Sequence, residues 1–321
     1  MIRGLYTSAS GMLALQNKQD ALANNLANIN TPGYKQDVGV MRSFPEQLIS
    51  RIRDKEGPDI QGLPSMGGQA TVIGRLTSGV YMSEAIPMFT QGDIEETRNP
   101  YDVALLDNLQ PDQDGNERRL FYSVARIEDL RQPAQPDDIR YTRNGNWSVN
   151  SDGYLVTPDG YYVLDNDNQA IRVNDPATGV NVGQGLQINQ FGELLYKDDS
   201  GELQSVPNHQ RLALSVVTDP LKLVREGVNV FRWEGDADVE AIDIAEANDQ
   251  AALDAGEYTT PTIMGRYGTQ QGWRERSNVD PMQTMTSMMS VLRAYEANQR
   301  VITTIDGTLE KAANELGRVN G

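Results

Sequence analysis

An α+β fold is predicted: a mostly antiparallel β central body framed by N- and C-terminal helices that pair as a coiled coil. Three observations carry this. At both ends, residues recur at alternating steps of four and three, the spacing of a heptad seam. Between the ends lie stretches rich in β-branched and aromatic residues, punctuated by Asn-Gly and Asp-Gly pairs. The chain of 321 residues has 38% hydrophobic residues, 29 Gly and 15 Pro, which fits turn-rich β domains rather than one large helical core.

The N-terminal seam runs through Leu5, Ala9, Met12, Gln16, Gln19, Ala23 and Leu26. It is narrow and partly polar. Small residues crowd around it (Ser8, Ala9, Ser10, Gly11, Ala14, Ala21, Ala23, Ala27), and small side chains let a second backbone come close. Asn30, Thr31, Pro32 and Gly33 should stop this helix, because a residue before proline resists the α region.

The C-terminal seam runs through Met285, Met288, Leu292, Tyr295, Gln299, Ile302, Leu309, Ala313 and Leu316, interrupted at Asp306 and broadened by Ile305 and Ala312. Asp280 before Pro281 fits an N-cap followed by proline at the first helical position. Two strong amphipathic helices at opposite ends, with none comparable between them, should meet. Their heptad spacing favours a left-handed supercoil. Two helices alone make a poor core, so further copies of the chain are expected to complete it. The four methionines Met282, Met285, Met288 and Met289 read as a pliable packing face rather than a copper site.

After Lys35, the stretch Met41–Asp54 carries Met41, Phe44, Leu48 and Ile52 at helical spacing, which predicts a short helix with Pro45 in its first turn. Glycines and prolines from Gly57 to Gly68 mark an extended connector, and residues 71–90 predict one or two strands. In the body, strands are predicted over Tyr101–Leu106, Leu120–Ile127, Arg211–Val217 and Val228–Trp233. A hairpin is predicted around Phe191-Gly192 within Leu186–Tyr196. Tyr141–Asp165 is the clearest β signal: Asn144-Gly145, Asp152-Gly153 and Asp159-Gly160 suit tight turns with positive φ. Residues 107–117 and 234–265 are acidic. The second stretch has nine acidic residues and no Lys or Arg, and both read as solvated loops.

The net charge of −17 supplies no basic stripe for phosphates or anionic lipid, which excludes nucleic acid as a partner. With no cysteines, thiolate metal sites, disulfides and cysteine nucleophiles are excluded. The single histidine, His209, reads as a surface residue, and no G-x-S-x-G nominates a serine for it to serve. No P-loop or G-x-G-x-x-G occurs. Asp165, Asp167 and Gln169 begin like a calcium loop, but Ala170 stands where its glycine belongs, so a polar-capped β-turn is the better reading. No catalytic residue, cofactor, metal site or small-molecule substrate is expected, and the chain is read as a non-enzyme. MIRGLYTSASG has one Arg and no continuous apolar run, so it does not read as a cleavable signal peptide.

The ends resemble a known family. Ala23-Asn24-Asn25-Leu26-Ala27-Asn28 through Asn30-Thr31-Pro32-Gly33-Tyr34-Lys35 is similar to the N-terminus of bacterial flagellar hook–basal body proteins. Ser277-Asn278-Val279-Asp280-Pro281 and Arg293-Ala294-Tyr295-Glu296-Ala297-Asn298 resemble the C-terminal pattern of that family. Asn99–Ala104, Tyr141–Gly145 and Asp152–Thr157 resemble the central β region of its rod proteins, proximal or distal, with a Gram-positive rod-like variant as one form. The loop 107–119 is longer and more acidic than the family pattern.

The resemblance implies a structural subunit of the basal-body rod, the axial drive shaft linking motor to hook. Such a subunit would be exported unfolded by the flagellar type III apparatus and polymerise into a helical tube beside other rod and hook proteins. It implies three regions: residues 1–35 with 277–321 as the inner tube, 36–98 as connector, and 99–276 as the central β region. The implied assembly residues are Leu5, Met12, Asn24, Asn25, Leu26, Asn28, Tyr34, Met285, Met288, Leu292, Tyr295, Ile302 and Leu309. A β body that folds after removal of residues 1–35 is a further expectation. The alternatives are a hook-type axial protein, a wall-modifying enzyme or a surface-binding β protein.

Overall fold

Helix α1 spans Ile2–Ala27 and helix α2 spans Pro281–Arg318, as the two heptad patterns require. The computed structural model describes residues 2–51, 71–107, 117–127, 129–175, 180–181, 185–190, 192–197, 203–205, 211–235, 239–241 and 267–318. These residues pack as two units. One comprises Met1–Asn24, Asp37–Ile86 and Met282–Gly321, and the other Asn25–Gln36 and Pro87–Pro281. The chain is α+β, with its helices at the ends and its antiparallel β-structure in the middle.

In the first unit, the expected short helix at Met41–Asp54 is absent. Asp37–Ser43 and Gln47–Arg51 are strands, the first paired with Val80–Pro87 and the second with Thr71–Leu76. Pro45 lies in the gap between the first two, where a strand tolerates the loss of an N–H donor. The helical spacing of Met41, Phe44 and Leu48 coincided with a break between strands, and Val38 and Val40 supplied β-branched residues just upstream. Two strands in 71–90 match the sequence reading. The connector glycines and prolines, 57–68, lie outside the described residues.

The second unit is built on a nine-stranded sheet whose pairings are all antiparallel. Its central strand, Arg119–Ala125, pairs with Ile139–Thr142 on one side, and with Tyr162–Val163 and Leu214–Val217 on the other. This strand is buried on both faces, which explains its largely apolar sequence, interrupted by Ser123. Leu120 and Tyr122 join Val103, Leu105, Trp147, Leu155, Ile171, Leu194 and Leu214 in the main core. Tyr122 and Trp147 meet edge to face, with centroids 4.8 Å apart. On the opposite face Phe121 packs with Phe89 and Phe231 in a triad of tilted rings.

Gly153 and Gly160 occupy positive-φ turns as expected, but Gly145 does not. A Cβ at Gly145 would stand 1.7 Å from the Val103 carbonyl oxygen, and the Gly145 carbonyl accepts from Val103 N at 2.9 Å. This glycine permits a close backbone approach rather than a turn. The hairpin Leu186–Ile188 with Leu194–Lys197 turns through Gly192, φ 78°, while Phe191 lies outside the described residues. Asp165 caps its own turn, its Oδ1 accepting from Asp167 N and Gln169 N. Residues 108–116, His209 and most of 234–265 lie outside the described residues. Within the last stretch Glu240–Ala241 forms a short strand beside Leu214–Val217.

Candidate assembly surface and buried charge chain

The two terminal helices run antiparallel in the first unit, and two glycines of α1 face side chains of α2. A Cβ built on Gly4 would lie 3.3 Å from Ile305 Cδ1, and one built on Gly11 would lie 3.1 Å from Asn298 Nδ2. Seven residues separate the glycines, and seven separate their partners. The helices therefore meet in heptad register. The inner stripe of α2 continues this rhythm through Thr284, Met288, Val291, Tyr295, Asn298, Ile302, Ile305, Leu309 and Ala312, all buried or half-buried. On α1, Gly4 and Gly11 face this stripe, one residue before Leu5 and Met12 of the predicted seam.

On α1 the contacts fall one position before the predicted seam, about 100° around the helix. Hydrophobic periodicity does not nominate Gly4, Gly11, Thr284 or Asn298, because none of them carries a large apolar side chain. On α2 one of the predicted rows is inward: Met288, Tyr295, Ile302 and Leu309 are half-buried. The other carries Met285 and Leu292, which are exposed. On α1, Leu5, Met12 and Leu26 are half-buried and Asn24 is exposed. A second side of α1 receives the strand pair: Ser10 Oγ accepts from Val80 N at 3.3 Å.

What remains uncovered is apolar and periodic. Met282, Met285, Met289 and Leu292 are 74%, 48%, 52% and 38% exposed, at steps of three, four and three along the first turns of α2. Tyr6 and Leu13, one heptad apart on α1, are about two-thirds exposed. Glu296, Gln299 and Thr303 continue the α2 row in polar form, so its apolar part is confined to residues 282–292.

The Asn-rich motif that ends α1 and follows it does different work. Asn25 and Tyr34 are buried in the second unit, the Tyr34 hydroxyl donating to Asn25 Oδ1 at 3.1 Å. Asn28, half-buried, accepts from Thr31 Oγ1 at 3.2 Å. Gly33 has φ 69°, and a Cβ there would fall 2.7 Å from Asn144 N. Arg225 lies over the Tyr34 ring and donates to the Lys35 carbonyl at 2.7 Å. Asn229 donates to the Pro32 carbonyl at 2.9 Å. Residues 25–36, part of the stretch 1–35 whose removal the sequence reading expects the body to survive, pack within this second unit.

Lys35 opens a chain of four buried charges. Its Nζ donates to Glu275 Oε1 at 2.6 Å and to the Thr90 carbonyl at 2.7 Å. Glu275 Oε1 also accepts from Gly92 N at 2.9 Å, and its Oε2 accepts from Arg143 Nε at 3.0 Å. Arg143 Nη1 reaches Asp107 Oδ2 at 2.8 Å, and that oxygen also accepts from Leu120 N. All four side chains are at most 1% exposed. Burial pulls the Lys35 ammonium down to about 8, against the raising influence of Glu275. Burial pushes the Glu275 carboxyl up, but Arg143 and Lys35 outweigh it and hold the group below its usual range. Cationic and carboxylate side chains alternate along the chain.

Sequence reasoning quoted Lys35 and Arg143 within motifs but did not pair them with Glu275 and Asp107. The signal was thin: a lysine directly after Pro-Gly-Tyr, and a glutamate 240 residues away. Among the described residues, no group of three or more His, Asp or Glu side chains is placed to hold a metal ion. No described helix is long and apolar enough to cross a membrane.

Comparison with known proteins matches these parts in order. Residues 5–35 match the family described as "Flagella basal body rod protein". Residues 132–192 match "Flagellar hook protein FlgE/F/G D1 domain" and 270–316 match "Flagellar basal body rod FlgEFG protein C-terminal". The chain is 35% identical to the flagellar hook-basal body complex protein FlhO of Bacillus subtilis, covering 99% of this chain and 100% of that protein. It is 29% identical to the flagellar basal-body rod protein FlgG of Agrobacterium fabrum, over 95% and 96% of the two chains. To the hook-basal body complex protein FlhP of Bacillus subtilis it is 26% identical, over 96% and 97%. Whole-length similarity of this order, with family matches at both helical ends and in the β-body between them, means that the chain belongs to the flagellar hook–basal body rod protein family.

Proposed function

We propose that this chain is a structural subunit of the flagellar basal-body rod and that its terminal helices drive its polymerisation. The observation that carries this reading is the uncovered heptad row Met282, Met285, Met289 and Leu292. Its inner neighbour row already packs within the chain. A contiguous apolar stripe on a helix is costly to leave in water, and its flexible thioether side chains adapt to curved, repeated contacts. A second copy of the chain, presenting Tyr6 and Leu13 or the same row, supplies a matching surface.

On this reading Leu5, Met12, Met288, Tyr295, Ile302 and Leu309 hold the helix pair from which the tube is built. Asn24, Asn25, Asn28 and Tyr34 fix how the chain leaves that pair. Residues 1–35 with 277–321 form the inner tube, 36–98 the connector and 99–276 the outer β region. The subunit is delivered by the flagellar export apparatus and sits beside other rod and hook proteins. The family is one of structural proteins, and no observation favours a wall-modifying or surface-binding role.

Deleting the gene and imaging isolated basal bodies tests the reading. Non-motile cells with rods that stop short and carry no hook are expected. Complete rods with hooks in the deletion strain would reject it.

A further inference from the structure

We infer that residues 267–279 form a strap that locks onto residues 31–36 through Glu275, so that the two crossover segments of the body open and close as one unit. This goes beyond the rod reading and concerns the single chain.

Three observations support it. First, the strap adds only edge strands: Tyr267–Gln271 on Val103–Asp107, and Trp273–Glu275 on Ile94–Glu96. Neither belongs to the nine-stranded sheet. Second, direct bonds join the strap to the N-terminal segment. Gly33 N donates to the Glu275 carbonyl at 2.9 Å, Gln36 N to Asn278 Oδ1 at 2.8 Å, and Asn278 N to the Tyr34 carbonyl at 3.3 Å. Third, the single Glu275 carboxylate neutralises two buried cations, Lys35 and Arg143.

Lift the strap, and Lys35 keeps only the Thr90 carbonyl, while Arg143 keeps Asp107 and the Leu120 carbonyl. A buried ammonium without a counter-charge is strongly unfavourable, so Lys35 must leave with the strap. The lock thus makes closure of the N-terminal crossover conditional on arrival of a residue 240 positions later. The core strand Arg119–Ala125, held by Ile139–Thr142, Tyr162–Val163 and Leu214–Val217, does not depend on it for its pairing.

Hydrogen exchange by mass spectrometry on the full-length monomer tests the lock. In Glu275→Gln, amides of both 31–36 and 267–279 should exchange faster by about a hundredfold or more, together, with Arg119–Ala125 unchanged. In Lys35→Met with Glu275→Gln, which removes the stranded cation, residues 31–36 should regain protection relative to Glu275→Gln alone. Faster exchange confined to 267–279, or no change in either segment, overturns the inference. Because Glu275→Gln could unfold the whole body, the native chain in sub-denaturing guanidinium gives an independent reading. The two segments should share one opening isotherm, and separate isotherms reject the lock.

Discussion

Gly11 meets Asn298 across the helix pair, and Gly4 meets Ile305 one heptad further along in the opposite sense. Side chains of α2 lie against the glycine backbone at both points, so this side of α1 has little room for bulk. Gly11→Leu is expected to push the helices apart and to cost about 1–3 kcal/mol, the usual range for forcing extra methylenes into a packed contact. Gly11→Ala gains helix propensity against a contact at 3.1 Å with a flexible amide, so a far smaller effect is expected. Helical circular dichroism and thermal melting of the two variants check this ordering.

The two stripes of α2 can be separated by mutation. Met285→Asp and Leu292→Asp alter exposed side chains and should leave the monomer within about 0.5 kcal/mol of the native chain. Both should abolish polymerisation and motility. Tyr295→Asp and Ile302→Asp alter the inner stripe and should lower monomer stability by about 1–3 kcal/mol as well as blocking assembly. Melting curves beside sedimentation of the polymer distinguish the pairs.

Lys35 gives the body a signature at alkaline pH. Its pKa in the folded chain, about 8, lies below the ordinary lysine value of 10.5, so over that interval the unfolded chain binds the extra proton. Stability therefore rises with pH from about 8 towards 10.5 wherever this residue governs it. Glu275 acts in the acid range. Its folded pKa is lowered from 4.5, so its contribution is present above that value and is lost as pH falls below it. Tyr122 is buried and its pKa is raised, so ionisation of the unfolded tyrosine above about 10 works against the fold. The stability difference between native chain and Lys35→Met isolates the lysine. It should shift in favour of the native chain between pH 8 and 10, and a flat difference would contradict the assigned shift.

Gly33 and Gly145 have separate reasons to resist alanine. At Gly33 the backbone is left-handed and a Cβ would strike the Arg143–Asn144 backbone, so Gly33→Ala should cost more than the roughly 1 kcal/mol of strain alone. At Gly145 the φ is ordinary but the Val103 carbonyl leaves no room. Gly160→Ala, left-handed but facing open space, should cost only the strain. Thermal melting should rank Gly160→Ala as the mildest of the three.

Much of the architecture was legible because its signals are local. Pro281 starts α2, the Asn-Thr-Pro-Gly run ends α1, and Asp152-Gly153 and Asp159-Gly160 mark real turns. On the inner stripe of α2, Met288, Tyr295, Ile302 and Leu309 were legible, whereas Gly4, Gly11 and Thr284 were not, because a hydrophobicity count passes over them. The stretch from Met41 misled because three apolar residues at helical spacing straddled a proline between two strands. The charge chain was hidden for another reason: Lys35 and Glu275 acquire meaning only from tertiary proximity.

The account rests on one surface. A cryo-electron-microscopy reconstruction of basal bodies containing this chain would show directly where Met282, Met285, Met289 and Leu292 reside. The account predicts these four side chains packed against terminal helices of neighbouring copies, in a tube wall with α1 and α2 still paired in the Gly4–Ile305 register. Density that leaves the four facing solvent, or that places the chain outside the rod, would contradict it.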